Sequence, residues 1–434
     1  MTLAEPAPTV ALKHLALSIQ TGPFGSQLHA EDYSVGGRPV VNPAHLRDGR
    51  IEPDPNVAVD EETFAQLAQH ELKAGDVVIG RRGELGRCAV VEADQEGWLC
   101  GTGSIRLRPN VGKLEPRWLR WLLSWSGTRD WLSLASVGTT MENVGAEIVG
   151  GMPLPMVSIS AQRTVADYLD RETARLDALV AAKERVLGLL AEKRRALITR
   201  AVTRGLDLRT PLRDSGIPWL GEIPGHWTPT RLKFVAEVRG GFALGKNYGS
   251  TSLAELPYLR VANVQDGHLD LTNVTTVMVP ASEVATCMLH SGDVLMNEGG
   301  DADKLGRGAI WRGEISPCLH QNHVFAVRPQ THKVLSVWLN AWTSSLGAKA
   351  YLESRAKQST NLASISSTNI KEMPMPLPPL NEQEAIVERM NEMCLQVDAV
   401  GVATDETIAL LKERRAALIA AAVTGQIGIP EVAA

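Results

Sequence analysis

Two segments of the sequence approach motifs of nucleotide-dependent enzymes, and both fail at a residue that the chemistry requires. Asn42-Pro43-Ala44 comes near the (N/D)PP(F/Y) motif of adenine methyltransferases but departs from it at the third position. The segment 240–247, GGFALGKN, nearly fits the phosphate-binding pattern GxxxxGK(S/T), but it lacks the hydroxyl that would ligate Mg²⁺. We therefore expect neither methyl transfer nor nucleotide binding at these segments.

Two further patterns could bind metal ions. Pro53-Asp54 followed by Glu71-Leu72-Lys73 has the spacing of a metal-dependent nuclease core, but the acidic run 60–62 beside it indicates a solvated loop. His320 and His323 are three residues apart in a β-rich stretch with no third ligand in view, which favours a hydrogen-bonding or DNA-facing role. The sequence therefore predicts no catalytic residue and no metal site.

The composition is that of a globular protein with room for two or more domains. Of 434 residues, 44% are hydrophobic and 21% are charged, and no apolar run approaches the roughly 20 residues that span a bilayer. Residues 1–9 contain no basic residue and no apolar core, so we expect no secretory signal there. Five scattered cysteines without a CxxC pair favour a reducing cytoplasm and no disulfide framework.

The formal net charge of −5 argues at first against nucleic acid, because DNA-binding proteins usually carry a basic surface. The positive charge is instead concentrated locally. It occurs at Arg81, Arg82 and Arg87, at Arg106 and Arg108, and in the run 193–204. We therefore expect this chain to hold DNA weakly by itself, since phosphate neutralisation supplies most non-specific affinity.

An internal repeat organises the chain. Dipeptides and longer runs recur in order at an offset of about 217 to 221 residues. Gly75-Asp76-Val77 matches Gly292-Asp293-Val294, and the run EKRRALITRAVT at 192–203 matches ERRAALIAAAVT at 413–424. The offset drifts in the first part of each half and is fixed in the last third. The sequence is therefore a duplication whose first part tolerates insertions.

Each half predicts a mixed α/β globule of about 150 residues, a proline-rich break and a helix of roughly 44 residues, or about 66 Å. Ser160 and Asn381 are suited to cap the two helices. Both helices carry apolar residues at alternating spacings of four and three, starting at Val165 and at Ile386, which is typical of a coiled coil. The simplest partner of each helix is the other one, packed antiparallel; the alternative is that each packs on its own globule.

The pattern of globule, proline break and long helix resembles the specificity subunits of type I restriction–modification systems. The similarity lies in a helix entry (376–383, PLPPLNEQ), a helix exit (410–426, LLKERRAALIAAAVTGQ), a domain opening (214–227, DSGIPWLGEIPGHW) and stretches within the globules at 22–33 and 292–321. It covers almost the whole chain. No DSGIPW-like segment precedes Leu12, so we expect the first globule to lack that opening.

The resemblance implies an α+β fold with a pseudo-twofold internal repeat: two tandem mixed α/β target recognition domains separated by two long antiparallel coiled-coil helices. The expected domains are a first recognition domain at 1–157, a central spacer helix at 158–206, a linker at 207–230, a second recognition domain at 231–372 and a C-terminal spacer helix at 373–434. Each recognition domain would read one half of a split DNA site, and the helices would set the gap.

The resemblance also implies partners: double-stranded DNA, two adenine-N6 methyltransferase subunits and motor–nuclease restriction subunits, with no membrane. S-adenosylmethionine, ATP and Mg²⁺ would then be cofactors of the partner subunits, and this chain would need none. Two alternatives are a structural coiled-coil adaptor and the specificity half of a single-chain restriction–modification enzyme. The adaptor explains the helices but not the repeated globules, and the single-chain enzyme would need catalytic motifs.

Base reading needs arginine, lysine, asparagine or glutamine, which make bidentate contacts to purine edges in the major groove. These residue types, with one histidine, are found on glycine-flanked or polar segments of both globules. The predicted DNA-binding residues are Arg81, Arg82, Arg87, Arg260, Asn263, Asn297, Lys304, Arg307, Gln321, Asn322 and His323. The predicted spacer and subunit-docking residues are Leu169, Leu176, Leu179, Leu190, Leu197, Met390, Val397, Val400, Leu411 and Leu418.

Overall fold

The structure, a computed structural model, describes residues 8–135, 144–244, 252–300, 305–358 and 363–428. The chain divides into two compact units, which are Met1–Lys183 with Glu406–Ala434, and Glu184–Asp405. These are the first and the second unit below. None of the described helices is long and apolar enough to cross a membrane.

The first unit is a mixed α/β globule with one end of each long helix. Its strands are β1 (Thr9–Ala11), β2 (Ala16–Thr21), β3 (Arg38–Val41), β4 (Leu46–Arg47), β5 (Arg50–Ile51), β6 (Ala58–Val59), β7 (Val77–Gly80), β8 (Cys88–Val90), β9 (Leu99–Cys100), β10 (Ser104–Pro109) and β11 (Pro153–Pro155). Its helices are α1 (Glu61–Gln66), α2 (Pro116–Ser124), α3 (Ser126–Ala135), α4 (Ala146–Gly151) and the first part of α5 (Ile159–Arg204).

The second unit contains the rest of α5 and the remaining elements. Its strands are β12 (Leu212–Asp214), β13 (Glu222–Pro224), β14 (Thr228–Arg231), β15 (Ala236–Arg239), β16 (Leu253–Leu259), β17 (Thr275–Pro280), β18 (Val294–Asn297), β19 (Gly299–Gly300), β20 (Gly308–Ile310), β21 (Leu319–His320), β22 (Val324–Pro329), β23 (Lys357–Gln358), β24 (Ala363–Ser364) and β25 (Pro374–Leu377). Its helices are α6 (Ala281–Cys287), α7 (Ser336–Thr343), α8 (Leu346–Arg355), α9 (Ser367–Lys371) and the first part of α10 (Leu380–Val423).

The two units share one sheet topology. A four-stranded sheet has the order β2-β10-β7-β8 in the first unit and β15-β22-β18-β20 in the second. A three-stranded sheet follows the order β6-β3-β9 in one and β17-β16-β21 in the other, and a short strand pair, β1-β11 or β14-β25, closes each globule. The predicted duplication is therefore also a structural repeat, and the predicted α+β fold class is confirmed.

The same buried ion pair supports the main sheet of each unit. Arg108 donates to both carboxylate oxygens of Asp76 at 2.8 and 2.7 Å, and Arg328 does the same to Asp293 at the same distances. Both aspartates are almost fully buried and follow a glycine with φ of +84° or +95°, a conformation that favours glycine. Arg108, with its strand neighbour Arg106, is therefore a framework residue and not part of the predicted basic surface.

A buried glutamine fixes the start of each long helix to its globule. Gln162 accepts a hydrogen bond from the amide of Glu115 and donates to the carbonyls of Lys113 and Val157. Gln383 makes the three equivalent bonds in the second unit. At the helix start itself, Ser158 caps α5 by accepting from the amide of Ala161, so the prediction of Ser160 as the cap was wrong.

The two long helices run antiparallel in each unit. In the first unit, the start of α5 lines a groove together with the end of α10, and Asp177 pairs with Arg415 at 2.8 Å. In the second unit, Gly205 at the end of α5 approaches Ile386, and Arg194 pairs with Asp398 at 3.0 Å. The two ion pairs are equivalent under the repeat, since Asp177 corresponds to Asp398 and Arg194 to Arg415.

One column of the predicted coiled-coil seam was wrong. Leu169, Leu176, Met390 and Val397 are buried, and the predicted residues Leu190, Leu197, Leu411 and Leu418 are half-buried. Leu179 and Val400, however, are 44% and 51% exposed. In that column, the positions that face the partner helix lie one residue further along the chain than predicted.

Small and polar residues explain the displaced column. The positions one residue further along include Ala166 and Thr173 in α5, and Cys394 and Gly401 in α10; the first three are buried and Gly401 is half-buried. Counting large apolar residues therefore selected the neighbouring exposed positions. The buried polar side chains are satisfied: the hydroxyls of Thr173 and Thr404, for example, donate to carbonyls one turn earlier in their own helices.

Candidate nucleic-acid interface

In each unit, several loops converge at one end of the four-stranded sheet. In the first unit, β2 and β7 end where β10 begins, because Thr21 pairs with Ile105 and Gly80 with Ser104. In the second unit, Asn297 at the end of β18 pairs with Val324 at the start of β22. We call this the loop end. It comprises 22–28, 42–45, 81–87 and 101–103 in the first unit, and 240–244, 260–263, 298–300, 305–307 and 321–323 in the second.

Backbone hydrogen bonds tie these loops together in the same way in both units. The amide of Arg81 donates to the carbonyl of Gly103 at 3.0 Å, and the amide of Glu298 donates to that of His323 at 2.9 Å. The amide of Gln321 donates to Leu259, as that of Gly101 does to Val41. Because main-chain atoms make these bonds, the loop side chains are left to vary.

The predicted residues of the first unit all lie on loop 81–87. Arg82 is exposed and Arg81 is half-buried. Burial and then the positive charge of Arg82 lower the pKa of Arg81. Arg87 pairs with Glu84 at 2.7 Å, an exposed pair that contributes little to stability. Arg81 and Arg82 therefore place two adjacent guanidinium groups at the loop end, which suits the recognition of guanine or phosphate.

The predicted residues of the second unit come from four separate stretches of sequence, and the structure brings the described ones to the loop end. Gln321 and Asn322 are half-buried. His323 is exposed and its Nδ1 lies 2.7 Å from the carboxylate of Glu298. Arg260 and Arg307 are also half-buried. Lys304 lies outside the described residues.

Two of the predicted asparagines serve the loop backbone. Asn263 is buried and its amide donates to the carbonyls of Asp270 and Asn273, while its oxygen accepts from the amide of Arg260. Asn297 is buried and donates to the carbonyl of Val264 at 2.9 Å. Both side chains hold loops in place and do not form part of the exposed surface.

The structure separates the residues of the weak enzyme-like patterns. His320 is buried, and its Nδ1 lies 2.6 Å from the carbonyl of Val324, whereas His323 is exposed. Among the described residues, no group of three metal-ligating side chains comes together. Of the GGFALGKN segment, residues 240–244 belong to the loop end and residues 245–247 lie outside the described part of the chain.

Sequence reasoning missed one class of residue at the loop end, namely large apolar side chains. Phe24 in the first unit and Leu244 in the second are 65% and 59% exposed. The base-reading residues were predicted from polar types alone. The sequence signal that marks this loop in both halves is a glycine, Gly22 or Gly241, which precedes Phe24 by two residues and Leu244 by three.

The chain is similar to known proteins along nearly its whole length. Residues 224–398 match the Methylase_S family model, described as the type I restriction modification DNA specificity domain. The type I restriction enzyme StySPI specificity subunit of Salmonella potsdam is 24% identical over 401 residues, covering 90% of this chain and 82% of that protein.

Two solved structures have the same fold. One, from a study of complex assembly and conformational transition of the type I R-M system, has a TM-score of 0.71 at 21% identity and covers 98% of this chain and 100% of its own. The HsdS subunit from Thermoanaerobacter tengcongensis has a TM-score of 0.55 at 20% identity, with 98% and 99% covered. The two structures show the fold, and the family match over 224–398 together with the relative that covers 90% of the chain shows what this chain is similar to, namely the specificity subunits of type I restriction enzymes.

Proposed function

We propose that this chain is the DNA-reading subunit of a type I restriction–modification complex, and that the loop end of each unit reads one half of a bipartite site. The observation that carries the proposal is the convergence of the predicted polar residues at equivalent ends of two equivalent sheets. Arg81 and Arg82 are the readers of the first unit, and Gln321, Asn322 and His323 are those of the second. Asn263 and Asn297 shape the second loop end from within.

The chain itself contributes no catalytic group in this proposal. Two adenine-N6 methyltransferase subunits and the motor–nuclease subunits bind to it, and S-adenosylmethionine, ATP and Mg²⁺ are bound by those partners. An adaptor without DNA contact would account for the long helices, but it would not require two loop ends that differ in their exposed side chains while sharing a framework. That the long helices set the gap between the two half-sites stays a prediction.

The test compares methylomes. The chain and its partner methyltransferase subunits are expressed in a host without N6-methyladenine, and the modified sites are mapped. We expect a bipartite site for the wild type. Replacing Arg81 and Arg82 together by alanine should relax one half-site, and replacing Gln321 and Asn322 together should relax the other, since a lost bidentate contact reduces discrimination by about 10- to 100-fold.

The matched control is Arg185→Ala, which removes an exposed arginine in the middle of α5 and should leave both half-sites unchanged. Binding measured by gel shift with the methyltransferase subunits present provides a second readout. A wild-type methylome without a bipartite site, or relaxation of both half-sites by either double variant, would contradict the proposal.

A further inference from the structure

Each unit presents one large apolar side chain at its loop end. Phe24 follows β2, and Leu244 follows β15, the equivalent strand of the second unit; both are more than half exposed. A single exposed apolar residue needs no explanation in a globular protein. An exposed large apolar side chain on the same loop of two units whose other loop residues differ does need one, and here the two side chains lie one position apart when Gly22 is matched to Gly241.

The segment that carries Phe24 is fixed to the loops that hold the proposed readers. The amide of Gly22 donates to the carbonyl of Ser104 at 2.9 Å. A Cβ at position 22 would lie 1.9 Å from the carbonyl oxygen of Gly101, so only glycine allows this approach. The following turn is closed by Gln27, whose side chain accepts from the amide of Phe24 at 2.9 Å. Phe24 therefore lies on an anchored turn next to loop 101–103, which in turn bonds to Arg81.

The second unit anchors Leu244 by different contacts at the same place. The amide of Phe242 donates to the carbonyl of His320 at 2.7 Å, and its carbonyl accepts from the amide of Asn322 at 3.1 Å. The hydroxyl of the buried Tyr258 donates to the same carbonyl at 2.9 Å. Leu244 therefore follows by two residues a segment that is bonded directly to the proposed reader Asn322 and to His320, the neighbour of Gln321.

Base edges in the major groove carry one apolar group, the C5 methyl of thymine, beside the donors and acceptors that arginine and amide side chains bind. We propose that Phe24 and Leu244 are specificity-determining residues that each contact a thymine methyl in the half-site read by their own unit. This inference rests on the proposed function, and it assigns the apolar part of a reading surface whose polar part is described above.

The experiment is a double-mutant comparison on DNA. Once the methylome has given the cognate site, each thymine of a half-site is replaced in turn by uracil, which removes only the methyl group. Binding is measured for the chain with its methyltransferase subunits. For the wild type, one thymine-to-uracil change in the first half-site should weaken binding by about four-fold, the effect of burying one methyl group.

Phe24→Ala should weaken binding to the thymine site and should abolish the difference between thymine and uracil, whereas Phe24→Leu should retain most of that difference. Leu244→Ala should do the same in the other half-site only. The controls are Val111→Ala and Leu346→Ala, which remove exposed apolar side chains away from the loop ends and should change nothing.

Several results would overturn the inference. A half-site without a thymine contradicts it for that unit, and so does a Phe24→Ala variant that binds thymine and uracil sites with the wild-type difference. In either case the bipartite methylome would still stand, so the proposed function would survive. Loss of the bipartite site in the wild type would instead refute the proposed function itself.

Discussion

The two units have the same framework and different loop ends. The pairs Asp76–Arg108 and Asp293–Arg328 have the same geometry, and Gln162 and Gln383 make the same three bonds. At the loop end, the position of Arg81 in the first unit is taken by Glu298 in the second, although both amides make the equivalent backbone bond. A framework bonded through buried side chains and main-chain atoms therefore lets the exposed residues change without changing the fold.

A second difference lies where each long helix meets its globule. In the second unit, Trp227 fills this place: it is buried against Trp338, with ring centroids 5.5 Å apart, and its indole nitrogen donates to Glu382 at 3.0 Å. In the described part of the first unit, the same place is a groove of about 460 Å³ lined by Trp118 and Val165, among others. In the sequence, Ala7 matches Trp227 and Ala161 matches Glu382, so these two positions supply neither the indole ring nor its acceptor.

The largest effect should come from removing the side chain that distinguishes the units. Trp227→Ala should destabilise the second unit by about 3 to 5 kcal/mol, because it leaves a cavity among buried residues. Hydrogen exchange on the intact chain, followed peptide by peptide, should show faster exchange in 228–377 and unchanged exchange in 9–155. Trp219→Ala, at a partly exposed tryptophan that contacts Tyr351, is the control and should cost much less. Equal loss of protection in both units would show that the contribution of Trp227 is not confined to the second unit.

The shared framework predicts equal effects in the two units. Asp76→Asn and Asp293→Asn each break a nearly buried ion pair and should each destabilise their own unit by about 3 kcal/mol. Hydrogen-exchange rates measure the loss of stability, within β10 for the Asp76 variant and within β22 for the Asp293 variant. Glu61→Gln, which breaks the exposed pair with Arg38, should have little effect on stability. A large cost for one aspartate and a small one for the other would disprove the equivalence of the two frameworks.

The sequence predicted the duplication, the mixed globules and the long helices because their signals are spread over many residues. It did not predict that the loops with most of the proposed DNA-binding residues meet at one end of a sheet, because that depends on strand pairing between distant segments. It did not show that Asn263 and Asn297 are buried, because an amide that bonds to loop carbonyls and one that faces solvent have the same local sequence. The seam was displaced in one column for a related reason, since a small residue, Ala166, and a hydrogen-bonded polar residue, Thr173, occupy its buried positions.

The corrected seam can be tested directly by neighbouring leucines. Leu176 in α5 is buried, whereas Leu179, three residues later in the same helix, is exposed. Leu176→Ala should therefore destabilise the first unit by about 2 to 3 kcal/mol, and Leu179→Ala should change it by less than about 0.5 kcal/mol. Val397→Ala and Val400→Ala give the same contrast in the second unit, with a smaller loss for valine. Chemical denaturation and hydrogen exchange within α5 and α10 measure these changes in stability. Similar losses of stability for Leu176→Ala and Leu179→Ala would support the seam predicted from apolar residues alone.

The smallest expected effect is the pH dependence of stability that comes from a buried histidine of the second unit. The equivalent residue of the first unit is a cysteine. His320 is buried at the position equivalent to Cys100, and burial lowers its pKa from the ordinary value of 6.5. Below pH 6.5 the unfolded chain therefore binds a proton that the folded second unit excludes, so stability is full above that pH and is lost as the pH falls.

This loss should appear in the second unit as the pH falls from 7.5 to 5.5. His320→Cys should flatten the pH dependence of exchange there, whatever its effect on stability at pH 7.5. The first unit provides an internal reference, because it also contains a histidine, His70, whose pKa is lowered by burial. The pH dependence of exchange in the first unit should therefore be the same in the variant and in the wild type. His332→Gln, at an exposed histidine of the second unit, controls for substitution of a histidine as such. If the pH dependence of the second unit persists in His320→Cys, another group excludes the proton, and the difference between His320 and Cys100 has no part in acid stability.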